Sequence, residues 1–169
     1  MYVTCEEKGE VFAIDPDQQR VIAKIETAGR PSSVAFLPDG SHAYVACENG
    51  GYIAVTDARL HRLLSKIQPP PGSLPMGTAI SNDGKELYVS TGRGNAVAII
   101  DTQKNELPRS PVLSARREGE GEESIVAMIL VGNRPRGIAL DPSGSKLYTA
   151  NGASTPKVFA SETTFPLSI

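Results

Sequence analysis

The chain has 169 residues, 40% of them apolar and 21% charged, with a net charge of −2, a pI near 5.7 and no tryptophan. A balance this close to neutral offers no broad basic field, which argues against nucleic-acid binding. No apolar run approaches the roughly 20 residues of a membrane helix, which argues against membrane insertion, and Met1-Tyr2 leads straight into strand-like sequence without a signal peptide.

In chain order, the predicted elements are strands, because apolar residues alternate over short runs bounded by turn chemistry. The chain opens on "YVTC" (2–5), and the run "VFAID" closes on Asp15. The next stretch reads as four strands: "SVAFL" (33–37), "HAYVAC" (42–47), "YIAVTD" (52–57) and "RLLSKI" (62–67). "LYVS" (87–90) and "VAIID", closing on Asp101, restate the second and third of these, and "LYTANG" (147–152) restates the second once more.

These are repeats. Tyr2, Tyr44, Tyr88 and Tyr148 stand 42, 44 and 60 residues apart, and a proline precedes a glycine by nine residues three times: Pro31 to Gly40, Pro75 to Gly84 and Pro135 to Gly144. Four short antiparallel strands recurring at this period are the signature of a β-propeller blade. Thirteen prolines and the alternation exclude helical repeats. The fold expected is all-β: a β-propeller of four-stranded antiparallel blades, incomplete, with three to four blades where propellers usually close with about four to eight. Residues 1–152 form the partial propeller, with repeats at about 2–43, 44–87 and 88–147 and a truncated fourth from 148.

The turns supply their own logic. "PDG" (38–40), "NDG" (82–84) and "PSG" (142–144) join the first two strands of a blade, with glycine taking the positive φ. Asp15, Asp57 and Asp101 sit where a carboxylate accepts a backbone N–H two residues on, a structural role favoured over a metal-binding or catalytic one. "TGRGNA" (91–96) opens no helix and reads as a turn rather than a phosphate cradle.

"YVTC", "YVAC", "YVST", "VAIID", the hairpins and "VGNRPRGIALDPSGSKLYTANG" together resemble the YVTN family of β-propeller repeats over residues 1–105 and 125–152. The last segment is also similar to bacterial propeller proteins associated with quinoprotein alcohol dehydrogenases. The resemblance implies a seven-bladed disc, periplasmic or extracellular and without assigned catalysis. The chain departs from the family in three places. Cys5, Cys47 and Thr91 replace the signature asparagine, which returns only as Asn151. Equivalent slots on neighbouring blades place the two cysteines too far apart for a disulfide, so two free thiols are expected. The interval from Asp101 to Pro135 is expanded by an insertion at 107–124, rich in Arg and Glu and expected to be a mobile, solvated loop. The tail 153–169 leaves the pattern, although shifted codons for "SETTFPLSI" can yield a strand like "GNAVAIID" (94–101), which suggests an interrupted or truncated reading frame.

No catalytic constellation, metal site or cofactor motif emerges. His42 and His61 lack sequence-local partners that would complete a metal site or a nucleophile triad. The candidate ligand- or partner-binding residues are Arg30 and Arg134, each immediately before a blade-opening proline, with Arg136 close by. Loops entering innermost strands ring a propeller's channel, where guanidiniums can collect an anionic ligand or a partner carboxylate. Their alternative is pairing with nearby acids. The function expected is a non-catalytic scaffold for a protein or small-molecule ligand. The alternative is part of a lactonase-like, haem-binding or quinoprotein-associated propeller whose active site lies in other blades. Self-association through exposed blade faces is a further expectation.

Overall fold

The computed structural model describes residues 1–105, 124–152 and 158–159. The insertion up to residue 123 and most of the tail expected at 153–169 lie outside the described residues. Four antiparallel sheets follow one another. The first holds β1 (Tyr2–Cys5), β2 (Glu10–Asp15) and β3 (Arg20–Glu26). The second holds β4 (Pro31–Phe36), β5 (His42–Cys47), β6 (Tyr52–Asp57) and β7 (Arg62–Ile67). The third is β8 (Pro75–Ile80), β9 (Glu86–Thr91), β10 (Ala96–Asp101) and β11 (Ile125–Leu130). The fourth is β12 (Pro135–Leu140), β13 (Leu147–Asn151) and β14 (Val158–Phe159). Among the described residues helix is confined to short 3₁₀ turns, at Gly92–Gly94, at Gln103–Asn105 and at Ser124. The fold is all-β, a run of consecutive propeller blades.

Each strand pairs with its sequence neighbour, so hairpin chemistry sets the register. Gly40, Gly84 and Gly144 take φ of 68°, 75° and 74°, and their amides donate to Leu37, Ser81 and Asp141 carbonyls at 2.9 Å each. The strand-closing aspartates act as the sequence suggests. Asp57 Oδ1 accepts the amides of Arg59 and Leu60, and Asp15 Oδ1 those of Asp17 and Gln18. The inner strand of the second sheet starts at Pro31, two residues before the expected "SVAFL", because a proline opening a strand gives up no required donor. The tyrosine-to-tyrosine periods at 2–43, 44–87 and 88–147 run from the second strand of one sheet to the inner strand of the next. Hydrogen bonding groups 31–67 and 75–130 instead.

Because neighbouring blades cover both faces, alternation here separates two apolar sides rather than an apolar from a polar one. Tyr44, Ile53, Val55 and Ile67 meet Leu87, Val89, Ala98 and Ile100 of the third sheet. From the opposite face of the second sheet, Val45, Cys47, Tyr52 and Ala54 meet Val11 and Ile25 of the first. At roughly 1.5–3 kcal/mol per buried aliphatic side chain, these two seams dominate cohesion between blades. The inner strands add polar ties. Ser32 Oγ donates to the Met76 carbonyl at 2.9 Å, Ser33 Oγ and Thr78 Oγ1 share a hydrogen bond of 2.9 Å, and Ser90 Oγ donates to the Arg136 carbonyl at 2.7 Å. The order β1, β4, β8, β12 therefore forms the inner row, each strand beside the next.

Candidate functional site

The residues before the blade-opening prolines gather at one end of the inner row. Arg30, Leu74 and Arg134 all adopt left-handed backbone, with φ of 59°, 50° and 53°. Steric restriction ahead of proline ordinarily favours extended backbone. The unusual conformation has a repeated consequence. The Arg30 carbonyl accepts the Glu48 amide at 3.0 Å, that of Leu74 the Gly92 amide at 2.9 Å, and that of Arg134 the Gly152 amide at 2.9 Å. Each blade entrance is thus locked to the turn after its second strand.

The side chains at these entrances differ. Arg30 is engaged: its guanidinium lies 2.8 Å from Glu6 and 3.1 Å from Glu48, and Nε donates to Glu6 Oε2 at 2.9 Å. The Glu6 hydrogen bond, with the charges of Glu48 and Glu6, raises the affinity of Arg30 for its proton. Glu6, Lys8, Gly9, Ala28, Arg30 and Asn49 line an open cleft of about 760 Å³ between the first two sheets. Glu6 and Glu48 were missed from sequence, although a signal existed: both follow the cysteine of their repeat, in "TCE" and "ACE".

Arg134 and Arg136 share a different environment. Both are exposed, and both lie near Gly152, where a β-carbon would lie 3.8 Å from Arg134 Cβ and 3.9 Å from Arg136 Nε. Among the described residues neither guanidinium has an acidic partner. The Arg134 amide donates to Asn95 Oδ1 at 3.0 Å, which fixes the loop to the third sheet. The three predicted arginines therefore divide: one is neutralised at the first seam, and two stand together on the fourth sheet.

At the opposite end of the blades, a cavity of about 260 Å³ is bounded by Leu37, Asp39, His42, Tyr44, Lys85 and Thr102. Ser41 Oγ donates to Asp39 Oδ1 at 2.7 Å and lies 2.9 Å from His42 Nδ1. With its proton on Asp39, the hydroxyl accepts from His42, whereas nucleophilic catalysis needs the imidazole to accept the proton from serine. His61 serves a seam: its Nδ1 is 2.9 Å from the Tyr2 hydroxyl, and the Tyr2 ring meets Phe36 edge-on at 4.8 Å. Burial raises the Tyr2 pKa, with Asp57 adding to the effect. Both cysteines are free. Burial pushes the Cys47 thiol up to about 11, leaving it inert at neutral pH. Among the described residues, no three His, Cys, Asp or Glu side chains gather as a metal site, and no helix is long and apolar enough to cross a membrane.

No protein-family profile matches the chain. It is similar to the uncharacterized protein YncE of Salmonella typhimurium, 30% identical over 108 residues, which is 64% of this chain and 30% of that protein. YncE of Salmonella typhi is 30% identical over 110 residues, with the same shares. Among solved structures, hydrazine synthase of Kuenenia stuttgartiensis superposes with a TM-score of 0.74 at 23% identity, covering 90% of this chain and 39% of that one. The chain spans 30% of the length of these curated relatives. At this identity the structural likeness bears on the fold alone, and it agrees with the blade architecture.

Proposed function

We propose that the chain is a non-catalytic binding module of YVTN-type repeats, a stretch of a ring of about seven blades, which offers Arg134 and Arg136 to an anionic group of a ligand or partner. The observation that carries this reading is the contrast between arginines. Arg30 occupies the same slot as Arg134, yet two carboxylates consume its charge. Arg134 and Arg136 are both exposed and both stand beside Gly152, without an acidic partner among the described residues. A guanidinium suits carboxylate or phosphate oxygens, which accept two of its hydrogen bonds at once. The serine–histidine contact at the other end, with its proton directed to Asp39, supports a binding role over hydrolysis.

Titration of ¹⁵N-labelled protein with inorganic phosphate and with acetate tests this. Saturable shifts at Gly152 and at the arginine Nε resonances are expected, and Arg136→Gln should weaken them about tenfold. Arg30→Gln should leave them unchanged. Equal titration of the wild type and Arg136→Gln removes the anion site, and turnover of a lactone substrate removes the non-catalytic reading.

A further inference from the structure

The first and second seams treat the same tyrosine slot differently. At the first, two rings of the second sheet stand against Tyr2, Phe36 edge-on at 4.8 Å between centroids and His61 tilted at 5.8 Å. Tyr44 holds the slot at the second seam. Five residues after the blade-opening proline, Ile80 replaces Phe36, and four residues after the strand-closing aspartate, Asn105 replaces His61. Neither residue carries a ring. Tyr44 borders instead the cavity of about 260 Å³, whose other apolar walls are Leu37 and Pro38.

The polar wall is richer in acceptors and in negative charge. Asp39, Asp83 and Lys85 border the cavity, and Lys85 Nζ lies 3.4 Å from Asp83 Oδ2. Among the described residues no salt bridge reaches Asp39, and Arg59 acts on its charge from farther away. The Ser41 amide and hydroxyl both donate to Asp39 Oδ1, which leaves Oδ2 as an acceptor. Because the Ser41 proton goes to Asp39, His42 donates from Nδ1 to Ser41 Oγ at 2.9 Å, and the neutral imidazole keeps its lone pair on Nε2. One hydrogen-bonded chain thus supplies two acceptors, on Asp39 and His42, from residues that border the same cavity. We infer that this cavity binds a small planar aromatic or heteroaromatic cation with two adjacent N–H donors, of the amidine type. Its ring takes the place of the flat cover that Tyr2 receives, and its N–H fork meets Asp39 and His42. Drug-sized ligands fill roughly 300–1,000 Å³, so a cavity of this size suits a single ring. A bare metal ion lacks a ligand set, since among the described residues no three His, Cys, Asp or Glu side chains gather. An ammonium is a point charge, whereas a planar fork meets adjacent acceptors with parallel hydrogen bonds.

The test titrates the full ¹⁵N-labelled chain with benzamidine, with benzamide as its neutral isostere and methylammonium as a point-charge control. Benzamidine should give saturable shifts at the Gly84 and Thr102 amides, and both controls should bind at least about tenfold more weakly. Asp39→Asn removes the charge yet keeps an oxygen for the Ser41 amide, so the hairpin should persist while affinity falls about tenfold. Lys85→Gln removes the ammonium that competes for Asp83 and should tighten binding. Equal binding of benzamide or of methylammonium overturns the proposal, as do shifts confined to other parts of the chain. An unchanged affinity in Asp39→Asn, or a weakened one in Lys85→Gln, overturns it as well.

Discussion

Ser90 Oγ donates to the Arg136 carbonyl at 2.7 Å while accepting the Gly77 amide at 2.8 Å, so one buried hydroxyl couples the inner strands of the third and fourth sheets. Replacing Ser90 by Ala orphans both backbone groups. A loss of about 1–3 kcal/mol is expected, read as a lower urea midpoint with faster hydrogen exchange along β12. An unchanged midpoint would show that the hydroxyl contributes nothing to this seam.

Gly77 meets the same carbonyl more directly. A β-carbon there would lie 2.3 Å from the Arg136 oxygen, and backbone cannot yield as a flexible side chain can. Gly77→Ala should therefore cost about 1–3 kcal/mol through displacement of β12. Gly40→Ala has open space around its β-carbon and suffers through its φ of 68° alone. Comparing the two by chemical denaturation separates steric from conformational cost.

Leu74 holds left-handed backbone without the ion pairs of Arg30. Asparagine tolerates this region and β-branched residues do not. Leu74→Asn should stay within about 0.5 kcal/mol of the parent, and Leu74→Val should lose about 1–2 kcal/mol. Thermal melts of both variants check the order, and a reversed order would refute the role assigned to φ.

Cys47 is fully buried and its thiol pKa is raised to about 11, whereas Cys5 is only half-buried. A shift from 9.0 makes the Cys47 thiolate about a hundredfold scarcer at pH 8. Thiol titration of the native protein should show fast labelling at Cys5 alone, with Cys47 reacting after denaturant is added. Equal native rates would contradict the packing around Cys47.

Acid should unfold the blades through their turns. The Ser41 amide and hydroxyl lower the pKa of Asp39, the Ser81 hydroxyl and Lys85 amide that of Asp83, and the Ser143 hydroxyl and Lys146 amide that of Asp141. Burial pushes Asp57 upward, but the Leu60 and Arg59 amides, with Arg62, bring it below its ordinary value. A depressed folded pKa stabilises the fold above the unfolded value near 4, and that contribution disappears as pH falls through the folded values. Circular-dichroism melts should therefore be flat from pH 7 to about 5 and fall below about 4. A melting temperature that rises on acidification would exclude this linkage.

Blade architecture was legible because its causes are local. Gly40, Gly84 and Gly144 mark hairpins by a conformation that other residues resist, and Asp57 caps a turn only two and three residues away. Alternation in "YIAVTD" marks a strand before its neighbours are known, and recurrence in phase multiplies each weak signal. The arginine slots were equally visible as a pattern, from Arg30 and Arg134 ahead of their prolines.

Tertiary structure decided what those slots do. Arg30 and Glu6 are 24 positions apart, and Ser90 and Arg136 are 46 apart, so each contact joins different blades. Sequence periodicity specifies a residue's place within a blade, but electrostatic pairing and close approach depend on the residues that a neighbouring blade presents there. For that reason identical slots became a neutralised arginine at the first seam and an open pair beside Gly152.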